Sequence, residues 1–529
     1  MSYTGHIVEL PIGPDGLTGT KNLSLVRPTQ LIRSHGTTYE NGTIEKEGGA
    51  SKYNSTAVSG APSIIAGWDW WPNTSTQHMI VMTSAGRIVR DPAGAGTFPT
   101  VLVSGLTATG VVPVFVEGGK EVAANNPKLF CFTGKNAVRV LAATGATMTT
   151  LASGPLDWTG TNQPKFGFIH EARLMAGGNA NDAHRLYYSR TGSHESFTAS
   201  GAGSLSIYPG EGEGLVGGMS FKGYAILWKK PKGIYAVDTT DPSVANWKVF
   251  RVTPAVGMPS PLAAVTIDND IPFIDANASV QLMSAVQEFG QIAPRSLSQV
   301  EGMDSFIREN VALGYVHLIQ GIYYAAKREA HFAIARMGNT KNTARLIVDF
   351  NRMDLPRFRW SERDTPISLW LRKDSTNIQR PMMGDDAGFI WHLDQAAKNK
   401  AGAGYVSEFQ IPHLDLSHID PKFGTMRKTG DFLELVVEPK GSWNLIVDIY
   451  WDGALKKTVY FNMGQTGSTL GSFVLDEDVL AGNAVLTKKR RITGSGRRIS
   501  IVGRNANAGE DYSIKKAYLH FRTTDERSG

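Results

Sequence analysis

A short β-prone run, opened by a turn residue and closed by a polar or small one, recurs seven times along this sequence. It reads GRIVR from Gly86, NAVRV from Asn136, HRLYY from His184, GIYAV from Gly233, ASVQL from Ala278, GIYYA from Gly321 and GFIWH from Gly388. The third residues are Ile88, Val138, Leu186, Tyr235, Val280, Tyr323 and Ile390, so the spacings are 50, 48, 49, 45, 43 and 67. Five of the six match the roughly 40–50 residues of a propeller blade. A second apolar run precedes most of them: HMIVMT, KLFCFT, GYAILWKK, IPFID and ALGYVHL. Strand, tight turn and returning strand make the hairpin at the heart of a four-stranded blade. The competing reading is a set of unrelated hairpins. The last, long gap holds RLIVDFNRMDLPRFRWSER, an inserted hairpin or a further blade.

The pattern predicts an all-β chain: a β-propeller of six to seven blades over 61–400, then an antiparallel β-sandwich over 405–525. Residues 1–60 form an extended arm with the first strands, because Pro11, Gly13 and Pro14 cannot share a regular element. Small polar residues from Ala396 to Gly404 mark a linker. Beyond it, NLIVDIYW places Leu445, Val447, Ile449 and Trp451 on one face of a strand. The 57 glycines and only 19% charged residues suit short strands and tight turns. One segment departs from this pattern: around 294–310, Ser296 precedes Val300, Met303 and Ile307 at helical intervals.

Candidate chemistry is sparse. In RLYYSRTGSHESF, Ser193, His194 and Glu195 are the residue types of a hydrolase triad, yet adjacent side chains on extended backbone point to opposite faces. A loop after the strand is the expectation. HLDLSHID gathers His413, Asp415, His418 and Asp420 without a familiar metal-ligand spacing. Glu211 with Glu213, and Asp268 with Asp270, sit in a glycine loop and a turn, unlike a glycosidase pair on rigid strands. Cys131 lies in an apolar run and reads as a small buried hydrophobe. Trp68, Trp70 and Trp71 in GWDWWP read as packing residues. No catalytic residue, metal ligand or cofactor site is expected, and the chain is not expected to be an enzyme.

The net charge of +6 is small for 529 residues and does not define a nucleic-acid binder. Its densest basic stretch is TKKRRITGSGRR, where Lys488, Lys489, Arg490, Arg491, Arg497 and Arg498 are the candidates for phosphate contact. There is no run of about 18 apolar residues to span a bilayer and no basic-then-apolar leader. Synthesis in a reducing cytoplasm is the expectation.

The order of segments is more specific. RLYYSRTGSHESF, then GEGEGLVGGMSFKGYAILWKKPKGIYAVD, then NWKVFRVTPAVGMPSPLAAVTIDNDIPFIDANASVQLMS resembles the β-propeller nozzle or hub proteins of short-tailed bacteriophages, the tail tubular protein B group. The matching slots are Arg185 to Phe197, Glu211 to Gly218, Phe221 to Lys230, Gly233 to Val237, Gly257 to Pro261 and Phe273 to Val280. NLSLVRPTQLIRSHGTTYENGTIEKEGGASKYN is similar to that group's opening, and LIVDFNRMDLPRFRW and MMGDDAGFIWHLD to its later blades. The short arm and compact C-terminal region depart from it. The resemblance implies a virion structural protein, with about six copies in a ring beside neighbouring tail or adaptor proteins and double-stranded DNA passing transiently through. It carries over no catalytic residues. The alternative from a different class is a carbohydrate-binding or carbohydrate-active tail component, with a lectin-like sandwich exposing aromatics such as Trp443 and Trp451.

Overall fold

The computed structural model describes residues 4–22, 25–39, 42–92, 94–119, 126–284, 296–352, 356–464 and 485–524. The chain is all-β, with many four-stranded antiparallel sheets and only short helices. It divides into two compact units. One comprises 52–346 and 364–393, and the other 1–51, 347–363 and 394–529. This division is discontinuous where the sequence suggested 1–60, 61–400 and 405–525. Short strands from the opening of the chain and from 357–361 pair inside the second unit, and local pattern does not reveal so distant a partner.

The unit 52–346 and 364–393 is propeller-like. Its first four sheets are each a meander of four consecutive strands, for example Val114–Gly118, Lys128–Phe132, Arg139–Ala142 and Thr149–Thr150. The leading strands pack in succession: Ile64–Trp70 on Val114–Gly118, that on Phe166–His170, and that on Gly214–Phe221. Gln320–Tyr324 packs on Ser368–Lys373, which returns to Ile64–Trp70. Gly67 permits that return, because a Cβ there would lie 2.3 Å from Cδ2 of Trp370.

Sheets stacked this way bury both faces, which is why their strands read as continuous apolar runs. In Lys128–Phe132, Phe130 and Phe132 enter one core cluster while Leu129 and Cys131 enter the next. Ile80 and Met82 are likewise separated from Met79 and Val81. Each such side chain withdrawn from water contributes roughly 1.5–3 kcal/mol. Burial pushes the Cys131 thiol pKa up to about 12, in keeping with an inert packing residue.

The repeat predicted most of these strands but slipped phase once. Ile88, Leu186, Tyr235 and Ile390 fall on third strands of their sheets, whereas Tyr323 lies on the leading strand Gln320–Tyr324. ALGYVHL is not a strand: Leu313–Leu318 is a 3-10 turn. RLIVDF is the strand Ala344–Asp349, third in chain order after Gln320–Tyr324 and Glu329–Ile334. The helical segment is two short helices, α1 (Leu297–Val300) and α2 (Asp304–Asn310). Ser296 caps α1 by accepting from Gln299 N at 3.1 Å, and Gly302 at φ 73° separates the two. Met303 and Ile307 are buried as their spacing implied, but Val300 is exposed. Pro294 and Arg295 lie outside the described residues.

In the second unit, one sheet runs Thr37–Thr38, Ile44–Lys46, Ser513–Thr524, Arg427–Glu438, Leu486–Arg491, with Thr4–Leu10 also on Ser513–Thr524. The other runs Arg357–Ser361, Arg33–His35, Ser407–Gln410, Ile499–Asn505, Asn444–Trp451, Ala454–Asn462. Both feed one core, which contains Leu445, Val447, Ile449 and Trp451 as the alternation required.

His392 is expected to make the propeller-like unit acid-sensitive. It sits edge-on to Tyr53 with ring centroids 5.5 Å apart, and burial followed by the Arg372 charge lowers its pKa from 6.5 to about 4. Between those values the unfolded chain binds the proton first, so stability falls as pH drops from 6.5 toward 4. The urea midpoint should decline over that range, and less steeply in His392→Phe.

Candidate functional site

The Ser-His-Glu stretch is a braced loop. It follows the strand Arg185–Tyr188 and turns back on itself, with Ser193 N donating to Arg190 O at 3.1 Å and Ser196 N to Ser193 O at 3.0 Å. His194 is buried, and its Nδ1 accepts from Gly119 N at 2.7 Å. Glu195 pairs with Lys128. The three side chains are engaged separately, as strand and loop geometry requires.

The acidic glycine loop GEGEG has an evident structural task. Lys229, on the strand Tyr224–Lys230, turns its ammonium into the loop and donates to Tyr208 O at 2.7 Å and Glu211 O at 2.8 Å. Glu211 accepts from Tyr235 Oη at 2.9 Å and Arg251 at 3.0 Å. Glu213 pairs with Lys230 at 3.5 Å. Burial lowers the Lys229 pKa to about 8, partly offset by Glu211, and burial first, then the hydrogen bond to Glu211, raises that of Tyr235. The following GMPSP turn is tied in by Met258 N donating to Lys229 O at 3.2 Å. Asp268 pairs with Arg328 at 2.8 Å, and Asp270 accepts from Ile271 N and Ser284 N.

The basic run does not become one stripe. Lys488 to Arg491 occupy the strand Leu486–Arg491, paired with Arg427–Glu438. Strand alternation divides them: Lys488 Nζ donates to Gly464 O at 3.0 Å and Arg490 Nε to Tyr460 O at 3.0 Å. Lys489 instead lies over the Phe432 ring at 4.6 Å. Arg497 and Arg498 belong to a separate loop, whose backbone N–H groups donate to Asp452 at 2.8–3.1 Å. Buried Lys428 secures the same loop from beneath by donating to Arg497 O at 2.8 Å. Arg497 and Arg498 line a hollow with His413 and Asp452.

Asp415 accepts from Ser417 N and Oγ, and Asp420 caps the turn Pro421–Gly424 through Lys422 N. Among the described residues, no group of three or more His, Cys, Asp or Glu side chains could hold a metal. Of the tryptophans, Trp70 is fully buried, while Trp68 and Trp71 line a cavity of about 560 Å3 with Phe115, Tyr323 and Trp370. Trp451 is buried and Trp443 donates its indole N–H to Asp511 O.

Sequence order conceals one further constellation. His170 and Glu171, at one sheet's first turn, meet Ser220 and Thr239 of the next sheet. The sole local signal is the HEAR turn, which lacks the usual glycine or asparagine.

No protein-family model matches the chain, and no curated protein matches it. Among solved structures, it is similar to U3-55K at TM-score 0.41 and 9% identity, over 65% of this chain and 98% of that one. It is also similar to the WD40 β-propeller domain of Doa1 at TM-score 0.39 and 9% identity, over 66% and 97%. The computationally designed Ika8 protein gives 0.36 and 8%, over 64% and 98%. No helix among the described residues is long and apolar enough to cross a membrane.

Proposed function

We propose that this chain is a structural protein of a short-tailed bacteriophage virion, a nozzle or hub component made in the bacterial cytoplasm. In this reading the propeller-like unit is a seven-bladed propeller, with the hairpin Pro272–Ile274 and Val280–Leu282 serving as the core of one blade. The unit holding residues 394–529 is a β-sandwich. Six copies form a ring with neighbouring tail proteins, and duplex DNA passes through it. The observation that carries the reading is the segment order from Arg185 to Val280. Its signature residues brace one sheet: Lys229 and Glu211 clamp the glycine loop, and the GMPSP turn locks under Lys229. Residues with such duties recur for architectural reasons, independent of any reaction.

Loose DNA contact follows from the charge layout. Lys488 and Arg490 are engaged with carbonyl groups, and the six basic residues are divided between the strand Leu486–Arg491 and the separate loop of Arg497 and Arg498. Electron microscopy of the purified full-length chain should show six-fold rings with a central opening. Monomers alone at high protein concentration would sink the reading.

The second reading, a carbohydrate-binding tail component, draws on the cavity beside Trp68, Trp71 and Tyr323. Burial of Trp451 removes one of the aromatics it had placed on the C-terminal region. A silent glycan array would eliminate it.

A further inference from the structure

Four side chains from two neighbouring sheets form a hydrogen-bond chain with a defined direction. Ser220 Oγ lies 2.8 Å from His170 Nδ1, His170 Nε2 lies 2.6 Å from Thr239 Oγ1, and Thr239 Oγ1 lies 2.7 Å from Glu171 Oε2. The Glu171 carboxylate can only accept, so the Thr239 hydroxyl donates to it. The Thr239 oxygen then accepts from His170 Nε2–H, which leaves the Nδ1 lone pair to accept the Ser220 proton. His170 and Thr239 are buried, while Ser220, next to last on the strand Gly214–Phe221, is exposed. Burial, opposed by the Glu171 charge, lowers the His170 pKa, which keeps the ring neutral.

The backbone is shaped to supply the carboxylate. His170 ends the strand Phe166–His170, and the two-residue turn into Arg173–Gly177 holds Glu171 at φ 44° and Ala172 at φ 57°. Such turns favour glycine or asparagine, and side chains there carry strain of the kind concentrated at functional sites.

We propose that Ser220 is a nucleophile, activated by His170, that accepts acyl groups from small carboxylic esters with good leaving alcohols. Its Oγ attacks the ester carbonyl as its proton passes to His170 Nδ1, and His170 returns that proton to the departing alkoxide. Water then attacks the acyl-serine, again losing its proton to His170, and releases the acid with Ser220 restored. Thr239 and Glu171 are positioning residues that hold the ring's tautomer, the third member of a nucleophile, base and orienter arrangement. Exposure of Ser220 on an open strand end favours small esters over polymers.

The experiment treats the full-length chain with p-nitrophenyl acetate and locates the acetyl group by peptide mass spectrometry. The expected result is acetylation of Ser220 before any lysine, absent in Ser220→Ala. In His170→Asn the labelling rate should fall about 100-fold or more, the usual contribution of a general base. Thr239→Val should also slow it and Thr239→Ser should restore it, a rescue that a purely packing role would not produce. Circular dichroism verifies that each variant is folded. Because Ser220 is exposed, the Ser220→Ala comparison stands even if the His170 variant does not fold. Acetyl groups on lysines alone, or equal labelling of Ser220 in folded His170→Asn, would overturn the proposal.

Discussion

Replacing Arg345 by Met is expected to destabilise the propeller-like unit by about 3–5 kcal/mol, the cost of leaving a buried charge without its partner. Arg345 is 1% exposed and its guanidinium pairs with Asp364, which is 0% exposed. Arg345 Nη1 also lies 3.4 Å from His331 Nδ1, and His331 Nε2 lies 2.8 Å from Glu329. Truncation would remove the guanidinium from beside the fully buried Asp364 carboxylate. The double variant Arg345→Met with Asp364→Leu should recover most of the loss, since replacing both charges removes the desolvation penalty as well as the attraction. Urea unfolding of the three variants checks this. If the double variant is no more stable than Arg345→Met, the pair is not the source.

A loss of about 3 kcal/mol, at the upper end of the overpacking range, is expected for Gly257→Ala. A Cβ there would lie 2.1 Å from Lys229 O and 2.8 Å from Cα and N of Lys232, so backbone must move and not merely a side chain. The displaced carbonyl is the one that accepts from Met258 N, and Gly233 N donates to Val256 O close by. The change therefore loosens the GMPSP turn and the Lys229 clamp together. Gly223→Ala is the opposite case: its φ is positive, 80°, unlike that of Gly257, but nothing lies within 4 Å of its Cβ. It should cost only about 1–2 kcal/mol of left-handed strain. Equal midpoints for the two alanine variants would refute the steric argument.

Much of the strand content was legible because burial leaves a local imprint. NLIVDIYW alternates since one face meets the core, and KLFCF is continuously apolar since both faces do. What the sequence concealed was pairing over long separations. Nothing in RFRWS announces that it lies beside Arg33–His35, and nothing in ALGYVHL separates a 3-10 turn from a strand. The division of the basic run was hidden as well: Lys488 to Arg491 are contiguous in sequence, and strand alternation separates their side chains. The hydroxyl and imidazole chain through Ser220 was invisible, because its members lie up to 69 residues apart and each is ordinary in its own segment.

The strand Thr4–Leu10 finds its partner at residues 517–523. During synthesis, the four meanders between Ile64 and Thr253 can close as they leave the ribosome, because each is complete within a few dozen residues. Thr4–Leu10 has no such opportunity and must wait until residues 517–523 have been translated. A nascent chain released early would carry finished meanders beside orphaned edges. Truncated products should therefore aggregate or be degraded.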